Sequence, residues 1–285
     1  MSPVFDLHCH STASDGALSP AELLMRAKDK GVSVLALTDH DTTFGLEAAA
    51  ASAEQLGICL LNGIEVSALY ANQCLHVIGL DIDPKHPVLA AGLARQSELR
   101  GQRARKMAEK LAKKGIADAY PAVRALASTG EITRSHFANF LVQAGKAKDQ
   151  QDAFDKYLSK GKPGYVPTQW AELDEVVAWI NAAGGVAVLA HPLRYNLSHK
   201  WIDRVLAAFK QVGGVGVEVV TGRSSPDDIR LSAQLALKHG LYASLGSDFH
   251  NPDNPWVELG KLAPLPAGLQ PIWQLFGSAV QSLLP

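Results

Sequence analysis

The chain has 285 residues, 47% of them hydrophobic and 19% charged, with a formal net charge of −1. That is enough apolar material for a full globular core, with room for a barrel and one insertion. No apolar run approaches the roughly 18 residues needed to cross a bilayer, so no membrane-spanning helix is expected.

In chain order, short apolar runs predict strands at Val4–Leu7, Val34–Leu37, Ile58–Ile64, Leu75–Leu80, Val186–Ala190, Val215–Val220 and Tyr242–Leu245. Helical patterns lie between most of them: Pro20–Lys30 with Ser19 as N-cap, Gly45–Leu56, Asp174–Ala183, Trp201–Phe209 and Asp227–Lys238. Alternation of strand and helix predicts parallel βα units closing into a barrel. The rhythm breaks after Asp83. From Val88 to about Lys162 the chain reads as helices only, opening with a long basic one over Leu89–Lys114 and closing on the turn-rich GKPGYVP. Arg103, Lys106, Lys110 and Lys113 fall three or four apart, along one helical face.

Charge divides along the chain. Arg95 to Tyr165 holds 15 Lys plus Arg against 7 Asp plus Glu, and the remainder holds 12 against 21. A basic segment beside an acidic pocket would attract a polyanionic substrate, whereas a plain solvated helical surface would give the same counts.

The acidic part carries the chemistry. His8, His10, Asp15, His40, Glu65, His191, Asp248 and His250 occur in LHCHSTASDG, ALTDHD, NGIEVS, LAHP and GSDFH, each after an apolar run of strand type. Side chains alternate along a strand, so His8 and His10 point one way and Cys9 the other. Asp248 and His250 repeat that one-residue gap. In βα barrels the carboxyl ends of the strands carry the active site. With His76 added, the set is imidazole plus carboxylate without thiolate, which suits Mn, Fe or Zn in a hydrolytic site. Asp39 and Asp41 flank His40 and are expected to support it or to cap the following helix. His86, His199 and His239 read as structural. The paired glycines match neither a dinucleotide nor a phosphate loop, so no nucleotide cofactor is implied.

HCHSTASDG, TDHD, GIEVS, the isolated His76, AHP and GSDFH resemble, in order and type, the motifs of the polymerase and histidinol phosphatase (PHP) superfamily of metal-dependent phosphoesterases. The resemblance covers the barrel nearly end to end. It implies an α/β fold, a distorted seven-stranded (β/α)7 barrel over residues 1–87 and 163–285, with an all-helical insertion over 88–162 capping the substrate side. It also implies three divalent cations, with Mn2+ favoured over Fe2+ or Zn2+. His8, His10, Glu65 and Asp248 would hold one, Glu65, His76 and His191 a second, and Asp15, His40 and His250 a third.

A finer resemblance lies in EITRSHFANFLVQAG and the downstream YLSKGKPGYVP. These stretches are similar to the PHP branch that dephosphorylates 3′,5′-nucleoside bisphosphates and, in some members, trims short RNA from its 5′ end. In that branch the Arg and His of the motif face the substrate phosphate, here Arg134 and His136 with Ser135 between them. Relatives commonly read GRPH where this chain has TRSH, so the basic pair is kept and the turn proline is lost. Arg194 and Arg223 are expected to contribute from neighbouring loops, or else to form ion pairs on the rim. Glu65, His136 and Asp248 are the expected catalytic groups. The expected substrate is a phosphorylated nucleotide or short RNA. Two other readings are histidinol phosphate phosphatase and a non-catalytic, metal-stabilised nucleic-acid-binding module.

Cys9, Cys59 and Cys74 include no CxxC, and MSPVFDLHCH lacks a basic, apolar, cleavable pattern. The expected location is therefore the cytoplasm, with no membrane association and no obligate protein partner.

Overall fold

The computed structural model describes residues 3–195 and 197–284. The strands are β1 (Phe5–Cys9), β2 (Val34–Leu37), β3 (Cys59–Tyr70), β4 (Gln73–Leu80), β5 (Val186–Leu189), β6 (Gly216–Thr221) and β7 (Tyr242–Gly246). They form one sheet in sequence order, from β1 to β7. The sheet nearly closes on itself: Asp248 N–H donates to His8 O at 2.7 Å, and His10 N–H to Phe249 O at 2.9 Å. Gly246 permits that closure, because a Cβ there would fall 2.2 Å from His8 Cβ. Only glycine lets the β1 backbone come so near.

Helices α1 (Pro20–Asp29), α2 (Leu46–Leu56), α7 (Leu173–Ala182), α8 (His199–Gln211) and α9 (Pro226–His239) pack around the sheet close to their predicted positions. Their ends follow local chemistry. Ser19 and Glu22 form a capping box at α1, Ser225 and Asp228 another at α9, and Gly240 ends α9 in the left-handed conformation.

Uniformly parallel strands are not what forms. β4 runs antiparallel to both β3 and β5. β3 continues past Ile64 to Tyr70, and Ala71 and Asn72, both at positive φ, turn the chain straight back. Two left-handed residues between paired strands make a tight hairpin.

Between β4 and β5 come α3 (Pro87–Ala112), α4 (Ala119–Ala127), α5 (Arg134–Gln143) and α6 (Gln150–Ala153), then a π-helical turn over Phe154–Leu158. The 26 residues of α3 span about 39 Å at 1.5 Å per residue. Its first turns bury Leu89 and Leu93 in the barrel core, while Ala104, Met107 and Leu111 belong to a second apolar cluster with Val123, Phe137 and Leu141. Among the described residues no helix is long and apolar enough to cross a membrane.

Candidate metal centre

The nine expected side chains converge at the end of the barrel where the parallel strands finish. His76 is the exception that explains itself: it lies near the start of β4, and the reversal of that strand brings its beginning to the same end.

Glu65 stands at the centre. Its Oε1 is 3.0 Å from both His76 Nδ1 and His191 Nε2. Its Oε2 is 3.4 Å from the Nε2 atoms of His8 and His10 and 2.9 Å from His40 Nδ1. Asp248 Oδ1 lies 3.5 and 3.4 Å from the same two Nε2 atoms. Asp15 Oδ1 is 3.3 Å from His250 Nε2 and 3.8 Å from His40 Nε2. Three groups have ligand atoms within 4.8 Å of one another: His8, His10 and Glu65; His40, Glu65 and His76; and His10, Asp15, His40 and His250. The first and second share Glu65, and His10 extends the third beyond the expected trio.

These donors fit divalent cations. Glu65 Oε2, Asp15 Oδ1 and His40 Nδ1 are buried without a hydrogen-bond partner, although Glu65 Oε2 and His40 Nδ1 are close. Buried polar atoms are seldom left so, and three within one ligand cluster are what bound cations would satisfy. Burial pushes the carboxyls of Glu65 and Asp248 up, but the imidazoles around them outweigh it and hold both well below the usual carboxylate range. Burial, helped by His250, pulls His10 down to about 3, leaving a neutral ring suited to ligation.

Strained backbone supports the site. Asp41, His191 and Asp248, just beyond β2, β5 and β7, all have positive φ, which persists only where surroundings impose it. His191 N–H is held by Glu218 Oε2 at 2.7 Å, and Asp41 N–H by Glu65 O at 2.9 Å.

Several supporting residues escaped the sequence reading. Glu218, a buried acid inside the apolar run GVGVEVV, lies 3.0 Å from His8 Nδ1. Asp6, on the same strand face as His8, accepts from the N–H groups of Ser247 and Gly260, and burial raises it to about 6. Asp39 and Asp41 keep their expected distance from the ligand groups. Asp39 accepts from Ser11 and Ser14 in the loop that carries Asp15. Asp41 is ion-paired with Arg100 of α3, whose guanidinium also lies 5.1 Å from the Trp170 ring. Isolated buried acids in strands were the available signal for Asp6 and Glu218. Arg100 gave none.

The expected substrate residues divide between two spaces. One is a cavity of about 320 Å3 lined by Asp15, His40 and His76 and also by Arg100, Arg103 and Arg134. A wider cleft of about 800 Å3 holds His136, Arg194 and Arg223 beside Asp248 and His250. Asp15, Ser135 and Phe154 border both. Arg134 opens α5 and lies 5.8 Å from the Phe154 ring. Arg194 is ion-paired with Asp248. Arg223 is exposed and has no carboxylate partner among the described residues. His136 Nδ1 accepts the N–H of Thr133 at 3.1 Å, completing the cap of α5. Nδ1 is then unprotonated and Nε2 carries the hydrogen, and burial lowers the pKa, so the ring is neutral.

The PHP-domain pattern matches residues 6–221. The chain is 48% identical over 270 residues to a 3′,5′-nucleoside bisphosphate phosphatase of Chromobacterium violaceum, covering 94% of this chain and 95% of that protein. It is 46% identical over 275 residues to the 5′-3′ exoribonuclease Rnm of Escherichia coli, covering 96% and 94%. An amidohydrolase structure from Chromobacterium violaceum with bound sulfate and no metal aligns with a TM-score of 0.92 at 45% identity, over 99% of this chain and 97% of that one. A candidate metal-dependent phosphoesterase from Bifidobacterium adolescentis aligns with a TM-score of 0.80 at 28% identity, over 100% and 96%. With its imidazole and carboxylate cluster at the mouth of a seven-stranded barrel, the chain belongs to the PHP-domain family and is a metal-dependent phosphoesterase.

Proposed function

We propose that the enzyme removes the 3′-phosphate from 3′,5′-nucleoside bisphosphates, for example converting adenosine 3′,5′-bisphosphate to AMP and phosphate. The observation that carries this reading is the cavity of about 320 Å3 whose lining brings together Asp15, His40 and His76 with Arg100, Arg103 and Arg134. Cation ligands and guanidiniums meet there in a space of ligand-binding size. The similarity to a bisphosphate phosphatase and to a structure that binds sulfate supports an oxyanion site of this kind.

In this reading His8, His10, Glu65 and Asp248 would hold one cation, Glu65, His76 and His191 a second, and Asp15, His40 and His250 a third, most simply all Mn2+. Divalent cations bound there supply an acidified water and neutralise charge on the phosphoryl oxygens. The chain's own groups do the positioning. Arg134 offers its guanidinium fork to two phosphate oxygens, and Ser135 adds a hydroxyl where the two spaces meet. His136, neutral with its hydrogen on Nε2, donates a hydrogen bond to the phosphate. Arg223 takes part from the cleft side, while Arg194 does so only by releasing Asp248. Glu65 and Asp248 stay ionised throughout. The helices over 88–162 form the cap on the substrate side.

The test is phosphate release from adenosine 3′,5′-bisphosphate and from histidinol phosphate by manganese-loaded protein. Turnover of the nucleotide with little of the other supports the reading, and the reverse preference overturns it. A second reading, exonucleolytic trimming of short 5′-phosphorylated RNA, is favoured by the cleft of about 800 Å3 continuing past Ser135 and Phe154. Progressive shortening of an oligonucleotide length series would support it.

A further inference from the structure

Strands β4 and β5 pair antiparallel from Leu80 opposite Val186 to Val77 opposite Leu189. One step further His76 stands opposite Ala190, and Ala190 N–H donates to His76 O at 3.0 Å. In an antiparallel ladder a residue pair of this kind exchanges two such bonds. Here a side chain replaces the second. His76 N–H donates to Tyr195 Oη at 2.9 Å, and that hydroxyl donates in turn to Ala190 O at 2.9 Å, nearer than its other acceptor, His76 O at 3.4 Å. The hydroxyl is inserted between the two backbones as a bridging water would be.

The course of the chain after β5 brings Tyr195 to this place. His191, at positive φ, turns away from the strand, and Pro192–Arg194 form one 3₁₀ turn in which Arg194 N–H donates to His191 O at 2.9 Å. The Tyr195 ring then meets that of His191 edge to face, with centroids 5.2 Å apart. The bridge therefore lies between two ligand candidates of one cation, since His76 is a partner of the hydroxyl and His191 follows the other partner, Ala190. Glu65 Oε1 is 3.0 Å from a ring nitrogen of each, and their ring centroids are 5.3 Å apart. Without the hydroxyl, His76 N–H and Ala190 O either close to a direct bond, drawing the strands together, or lack a partner. Both outcomes shift one imidazole against the other, and a ligand set tolerates little such movement. Tyr195 lines neither the cavity of about 320 Å3 nor the cleft of about 800 Å3, so it acts through the ligands and not on the substrate.

We propose that Tyr195 is a positioning residue for the cation assigned to Glu65, His76 and His191: its hydroxyl, wedged into the β4–β5 ladder, sets the spacing of the two imidazoles. The inference rests on the assignment of that cation. It goes beyond the substrate reading, because it holds for any phosphate ester the enzyme cleaves. It is also selective, since the hydrogen-bond partners of the hydroxyl all belong to His76 and Ala190.

The experiment titrates manganese into chelator-stripped full-length protein, by calorimetry and by elemental analysis, and follows kcat for adenosine 3′,5′-bisphosphate. His191→Asn marks the cation in question and should lower the bound manganese by one ion. Tyr195→Phe removes a single oxygen and should weaken that same ion about 10- to 100-fold while the others keep their affinity. Its kcat should fall with the occupancy of that ion and recover at higher manganese. Added to His191→Asn, Tyr195→Phe should cause no further loss of manganese affinity. Replacing Tyr195 by 4-aminophenylalanine restores a donor and an acceptor at the same place and should recover part of the loss. That protein takes the place of Tyr195→Phe in the cycle if the latter does not fold. An unchanged titration, a loss shared by all the ions, or losses that add in the double variant overturns the positioning role and leaves the cation assignment standing. Bound manganese unchanged in His191→Asn overturns the assignment and the inference with it. Tyr195-dependent manganese binding without phosphate release from the bisphosphate retains the positioning role and overturns the substrate reading.

Discussion

Glu218 orients His8: its Oε1 lies 3.0 Å from His8 Nδ1 and accepts that nitrogen's hydrogen, so Nε2 is the atom directed toward Glu65 and Asp248. A carboxylate behind a ligating imidazole orients the ring and raises its basicity. Glu218→Ala is therefore expected to weaken cation binding roughly 10- to 100-fold. Competition with a chelating indicator measures this, and an unchanged midpoint would remove Glu218 from the support of the site.

Cation loading should release protons. Burial opposes protonation of His76 and His250, but Glu65 beside the first, and Asp15 with Asp248 beside the second, push them up to about 10 and about 9. A ring must lose its proton before it can ligate. Affinity should therefore fall as pH is lowered from about 9 toward 6. Calorimetric loading of chelator-stripped protein should give an apparent enthalpy that varies with the ionisation enthalpy of the buffer. An enthalpy independent of buffer would contradict this.

The Asp41–Arg100 pair ties the inserted helices to the barrel. The Asp41 side chain is 0% exposed and that of Arg100 4%, so removing one partner strands a buried charge. Arg100→Met should cost about 3–5 kcal/mol of stability, and the double variant Asp41→Asn with Arg100→Met clearly less than the sum of the two single losses. Chemical denaturation of the four proteins completes the cycle, and strict additivity would refute the coupling.

For His136 the folded-state pKa lies below the ordinary 6.5 because the ring is buried. Below pH 6.5 the unfolded chain then takes up a proton that the folded chain resists, so its contribution to stability is lost as pH falls through the folded value. His136→Gln keeps an acceptor for Thr133 N–H and should lose less stability between pH 7 and pH 5 than the unaltered protein does. Equal losses in both would show that the ring does not titrate in this way.

The seven strands and eight of the nine ligand candidates were legible because each sits at a change from apolar run to polar motif, a pattern that survives without tertiary information; His76, inside an apolar run, was legible only from the order of the resembled motifs. The reversal of β4 was not. Between the predicted strands Ile58–Ile64 and Leu75–Leu80 the only mark of the turn is Ala71-Asn72, a pair without glycine. Arg103 shared a helical stripe with Lys106, Lys110 and Lys113, but those lysines are exposed while Arg103 turns into the cavity. Spacing along one helix cannot reveal that difference, because it is made by Trp170 and Thr168, more than sixty positions away in the chain.

The backward course of β4 also accounts for the length of α3. A strand running against its neighbours delivers the chain to the base of the barrel, farthest from the catalytic mouth. The next segment must climb the whole height of the molecule before anything attached to it can overhang the metals. A rigid rod of seven turns makes that climb, and the number of turns sets the height at which its arginines arrive. Adding or deleting one turn would move Arg100 and Arg103 past their partners by about 5 Å, so the length of this strut decides where those guanidiniums stand in the cavity lining.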